Sequence, residues 1–132
     1  MFQQAQNPIS SYQKVERDIA VENANPHQLI VLLFQGAEQA ISLARIHMEA
    51  GNIAEKGMAI SKAIDIINLG LKASLDLEAG EIAHNLAALY DYMVRRLTQA
   101  NIKNQTAILD EVYGLLHEIS TAWAQIAKAP AE

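Results

Sequence analysis

Glu81-Ile82-Ala83-His84 sets a carboxylate and an imidazole three residues apart, the spacing with which some helical bundles hold paired iron or manganese ions. Such a centre needs two of these pairs and further inward glutamates. The chain has one pair, and on a helical wheel both side chains fall on the polar side of their helix, so no metal site is expected. Phosphotransfer through a bundle needs an accessible His with a nearby Lys, commonly His-x-x-Lys-Gly. The residues three after His27, His47, His84 and His117 are Ile30, Ala50, Ala87 and Ser120, so that pattern is missing. His47, beside an apolar seam, reads as a boundary residue rather than a ligand. There is no Gly-rich phosphate loop, no Gly-x-Ser-x-Gly elbow and no pair of buried carboxylates. Asp76, Glu78 and Glu81 cluster round a turn, where the positive end of a helix dipole accounts for Glu78 and Glu81. The chain is therefore expected not to be an enzyme and to need no cofactor.

Composition narrows the partners. The 132 residues are enough for one domain with a single sizeable core. Hydrophobic residues make up 51% and charged residues 19%, with a formal charge of −5, which describes a mildly acidic globular chain. Nucleic acid is not expected, because phosphate binding wants a clustered basic face and Arg95-Arg96 is the only adjacent basic pair. The absence of cysteine excludes disulfides, thiolate zinc sites and cysteine catalysis. The first residues lack a basic region and an apolar stretch of signal-peptide length, and no apolar run approaches the roughly 18 residues of a membrane span. A cytoplasmic protein without membrane insertion is the expectation.

The elements that must position any site are helices. Residues 1–25 read as a flexible N-terminal arm or short helix, with Tyr12, Val15 and Ile19 on one weakly amphipathic strip. Asn25-Pro26 is a helix start, and Gly51-Asn52 a stop. Helical patterns cover about 26–48, 53–74, 80–101 and 105–127, with Asn104 as the expected cap of the fourth and residues 128–132 as a tail. Gly36, in the middle of the first pattern, suggests close approach of a neighbouring helix. Connections this short make an all-α, antiparallel up-down four-helix bundle over residues 26–127.

The second pattern carries more apolar surface than a core seam needs. Ile60, Ile64, Ile67, Leu71 and Leu75 form the seam, at roughly 100° per residue. Ala59, Ala63, Ile66, Ala73 and Leu77 form a second stripe about 110° around, with Leu69 further still, so the apolar sector is about twice its usual width. Burial on two sides and an exposed groove for a partner both explain it. The third pattern turns Ile82, Leu86, Leu89, Tyr90, Met93, Leu97 and Ala100 inward, flanked by Tyr92 and Arg96. The fourth has Ile108, Leu109, Val112, Leu115, Leu116, Ile119, Trp123 and Ile126 as its seam.

Three stretches of the chain together form a recognisable pattern. The first is Tyr12, then Val21-Glu22-Asn23-Ala24-Asn25-Pro26-His27-Gln28-Leu29-Ile30 and Leu33-Phe34-Gln35-Gly36-Ala37. The second begins Ser74-Leu75-Asp76-Leu77-Glu78, continues with Gly80-Glu81-Ile82-Ala83 and Asn85-Leu86, and ends with Leu89-Tyr90-Asp91-Tyr92-Met93 and Arg96-Leu97. The third is Ala100-Asn101 followed by Glu111-Val112, Leu115-Leu116 and Ala122-Trp123. In this order and spacing they resemble the flagellin-specific export chaperone family, FliS. Departures are Asn23 for the usual Thr, Phe34-Gln35 for Tyr-Asp, and a turn at Ala79-Gly80 shorter by one residue.

The resemblance implies a cytoplasmic, non-catalytic chaperone. Such a protein binds the C-terminal region of flagellin, prevents its premature polymerisation and presents it to the flagellar type III export apparatus. Export-gate or regulatory proteins are further partners it suggests. In that family the arm can cover part of the client site when the chaperone is empty. The arm pattern and the surplus stripe nominate Tyr12, Val15 and Ile19 as a displaceable cover. They nominate Ile66, Leu69, Ala73 and Leu77, with Tyr92 and Arg96, as client contacts. The alternative is a self-associating structural or adaptor bundle, a homodimer with the same stripe as its seam.

Overall fold

Asn25 and Pro26 open the first helix. The Asn25 side chain accepts the Gln28 amide at 2.8 Å, and Pro26 sits where no helical amide is needed. In the computed structural model, which describes residues 25–128, helix α1 runs Pro26–Ala50. Gly51 ends it with φ +79, while Asn52 donates its amide to the His47 carbonyl at 2.9 Å and Gly51 donates to that of Met48 at 3.3 Å. This is a Schellman closure, which needs the left-handed conformation that Gly adopts without steric cost.

Helix α2 is regular over Ile53–Asp65 and continues as a π-helix over Ile66–Lys72. Asp76 then accepts the Glu78 amide at 3.1 Å and caps a short 3-10 turn, Leu77–Ala79. Helix α3 covers Glu81–Lys103 and α4 covers Thr106–Lys128. Asn104 is not the start of the last helix. It lies at φ 55 and donates its amide to the Ala100 carbonyl at 2.8 Å, closing α3.

Side-chain links across the helices fix an antiparallel order. His27 meets Trp123 and Arg45 meets Asp110, so α4 runs back along α1. Lys56 reaches Asn101 and Lys72 reaches Asp91, so α3 runs back along α2. Each helix packs on its two neighbours in a four-helix bundle, with α1 opposite α3 and α2 opposite α4. One continuous core fills the centre, with Phe34, Ile41, Ile60, Ile67, Leu71, Met93, Leu97, Leu109 and Leu116 buried. Ala37, Ala40 and Ala44 of α1 are buried with Gly36, as are Ala59 and Ala63 of α2, which suits close helix approach. Helix α1 has the length and apolarity of a membrane-spanning helix, but Leu33, Phe34, Ala37 and Ile41 are committed to this core.

Two seam residues differ from expectation. Ile82 is 77% exposed, because the inward row of α3 starts at Ala83 and continues through Tyr90, Met93, Leu97 and Ala100. Ile126 is exposed because the register that pairs Trp123 with His27 carries the last turn of α4 past the start of α1.

Candidate functional site

The surplus stripe of α2 has two fates. Ala59, Ala63 and Ile66 are buried, so Ile66 is a core residue and not a surface contact. Leu69 is 52% and Leu77 47% exposed, and Ala73 is exposed between them. Burial on two sides describes the first half of the stripe and an open apolar surface describes the second. Asp76, Glu78 and Glu81, which flank Leu77 in the chain, are all exposed. Lys72 lies beside Ala73 in the chain and holds Asp91 of α3 at 2.7 Å, giving that edge a polar border.

Tyr92 and Arg96 belong to a different face. The Tyr92 hydroxyl donates to Glu111 of α4. Arg96 donates from Nε to Glu111 Oε1 at 2.8 Å and from a terminal nitrogen to Gln99 at 2.5 Å. Hydrogen bonds from Tyr92 and then Arg96 hold the Glu111 carboxyl below its ordinary value, and the same bond to Glu111 raises the Tyr92 hydroxyl. These two residues clasp α3 to α4, whereas Leu69 and Ala73 lie on α2, diagonal to α4. The sequence pattern had grouped them; the structure does not. Tyr12, Val15 and Ile19 lie outside the described residues.

Other features had no sequence signal. Lys56, 5% exposed, donates from Nζ to the Asn101 carbonyl and to Asn104 Oδ1, both at 3.0 Å. A lysine near a helix start reads as surface, but here its stem lies against the bundle and its head ties α2 to the end of α3. Around it Ile53, Met58 and Ile102 are exposed, and Ile53 and Met58 border an open groove with Gly57 and Asn101. At the opposite end His27 and Trp123 stack with centroids 4.4 Å apart. Trp123 Nε1 donates to the His27 carbonyl at 3.1 Å, and His27 Nε2 lies 2.8 Å from the Trp123 carbonyl. Glu81 and His84 are both exposed, and among the described residues no three His, Asp or Glu side chains converge.

Residues 8–130 match the family model of the flagellar protein FliS. The chain belongs to the FliS family. Relatives of this FliS-family chain include the flagellar secretion chaperone FliS of Salmonella typhimurium, 54% identical over 119 residues, 89% of this chain and 88% of that one. The flagellar secretion chaperone FliSB of Pseudomonas aeruginosa is 48% identical over 120 residues, 90% and 94% of the two chains. That of Bacillus subtilis, also named flagellar secretion chaperone FliS, is 37% identical over 123 residues, 91% and 86% of the two. The stretch from Ser74 to Leu97, which carries much of the resemblance to FliS, forms the α2–α3 turn and most of α3. Much of it is accounted for by capping at Asp76 and by core packing at Tyr90, Met93 and Leu97.

Proposed function

We propose that the chain is a cytoplasmic flagellar export chaperone. It binds the C-terminal region of flagellin, keeps it from polymerising early and hands it to the flagellar type III export apparatus without catalysis. Membership of a family whose relatives are named flagellar secretion chaperones carries the proposal. The exposed apolar half-stripe Leu69, Ala73 and Leu77 supplies a surface suited to the task.

The physical basis is helix-in-groove recognition. A segment too polar to fold alone gains order by laying one apolar face on a helical surface, and the ordering entropy lowers its affinity per unit area. Release then needs no nucleotide hydrolysis, because a competing binder can take over the segment. Co-purification with flagellin, full-length and truncated at its C-terminus, tests the proposal. Capture of the full-length protein alone is the expected result, as a one-to-one complex by light scattering. A stable homodimer of the chaperone that ignores flagellin would sink it.

A further inference from the structure

Among the described residues, four carboxylates reach across the bundle to a neighbouring helix, and three of them meet a strong cation. Asp91 holds Lys72, Asp110 holds Arg45 and Glu111 holds Arg96. Glu38 of α1 is the exception, and it is the most withdrawn from water, with its side chain 14% exposed against 35% for Glu111. Its Oε2 accepts the Ser120 hydroxyl of α4 at 2.8 Å, and His117 Nδ1 stands 3.6 Å from the same oxygen, beyond hydrogen-bond range. Its Oε1 accepts no hydrogen bond from the described residues. One neutral hydroxyl compensates poorly for a carboxylate held mostly out of water, so the site favours a cationic partner. The nearest arginine is already taken: Arg45, about two turns further along α1, holds Asp110 and Glu49, each at 2.7 Å.

An apolar groove begins at this carboxylate. Between α1 and α4 a hollow of about 430 Å³ is lined by Glu38, Gln39, Ser42, Leu43, Ile46 and Tyr113, and Leu43 and Ile46 are 48% and 60% exposed. It continues past Ser42 and Tyr113 to the Arg45–Asp110 pair. Glu38, Glu49 and Asp110 against Arg45 alone leave a net negative field beside an apolar floor. Along α1, Leu43 and Ile46 lie about 7 and 12 Å beyond Glu38, which is one and two turns of a helix laid in the groove.

We propose that this groove is a second docking face that takes a basic amphipathic helix of a partner protein, with a Lys or Arg on Glu38 and apolar side chains one and two turns away on Leu43 and Ile46. The aliphatic stem of the basic side chain would pass over Tyr113. The proposal is independent of the client, because Leu69 lies on α2, diagonal to α4. A bundle with both faces can hold two polypeptides at once.

The probe is a synthetic helix of about 20 residues built on Ala and Gln, with one central Lys and Leu four and eight positions to either side, so that it fits in both directions. In an NMR titration it is expected to shift the amides of Glu38, Leu43 and Ile46. Glu38→Gln keeps an acceptor for Ser120 and is expected to weaken binding about tenfold, the worth of a charge-assisted hydrogen bond, with Tm nearly unchanged. Glu55→Gln removes the same charge from an exposed site on α2 and is expected to change affinity less than about twofold. Equal losses in the two variants mean general attraction to an acidic chain and overturn the proposal. Leu43→Ser tests the floor on a half-exposed residue outside the core, and binding is expected to weaken about fivefold. Unchanged affinity in that variant overturns the groove assignment. So does a shift pattern centred on Leu69, full affinity with norleucine in place of the Lys, or no binding at millimolar peptide.

Discussion

Lys56 is the buried charge on which one end of the bundle depends. Its ammonium serves the Asn101 carbonyl and the side chain of Asn104, the residue that closes α3 in a left-handed conformation. Lys56→Met keeps an apolar stem but leaves those acceptors without this donor, so chemical denaturation should show a loss of about 1–3 kcal/mol. Glu111 offers a second test, in pH. Its carboxyl is held below the ordinary 4.5 by bonds from Tyr92 and Arg96, so on acidification the unfolded chain binds this proton first. The stability it contributes is complete above that value and is lost as pH falls towards the lowered folded value. Glu111→Gln should flatten this part of the acid limb in a series of thermal melts. Neither role is visible in sequence, because a lysine near a helix start and a glutamate on a helix surface look the same whether solvated or clasped.

At the level of elements, the helix ends were legible where one residue dictates the backbone. Asn25-Pro26 and Gly51 have local chemistry with few alternatives, and the structure uses both as caps. Asn104 was misplaced because Asn serves both at helix starts and in left-handed closures. The winding of α2 was invisible for a different reason: a wheel drawn at a fixed angle per residue assumes the regularity that Ile66–Lys72 lacks. Ile66 fell on the outer stripe for another reason: a wheel marks the stripe and not the neighbour that covers it, and Ala59 and Ala63 of the same stripe are buried with it. Glycines separate the two kinds of helix segment. Gly57 and Gly114 have nothing within 4 Å of an added methyl, so Gly57→Ala and Gly114→Ala should each stabilise by about 0.5–1 kcal/mol. Gly70→Ala crowds Leu33 and should cost about 1 kcal/mol despite its better helix propensity, a difference in sign that urea melts resolve.

For the whole molecule, the bundle and its antiparallel order followed from four apolar periods and short connections. The division between core and exposed apolar surface did not, since a fully apolar stripe carries no mark of which half a neighbour will cover. Two substitutions separate those halves. Leu69→Asp should weaken capture of flagellin with Tm nearly unchanged, because that side chain is half exposed. Ile66→Asp should abolish the cooperative melt, because it places an unpaired charge in a fully buried position. The His27–Trp123 pair has a practical consequence for such measurements. It joins the first turn of α1 to the last turns of α4, at the pole where α2 ends and α3 begins. A label attached on the first turn of α1 or the last turns of α4 would therefore sit at the pole that carries Leu77 and Ile82, in the way of an incoming polypeptide. A label set into the Gly51 turn sits at the far pole and leaves that approach open.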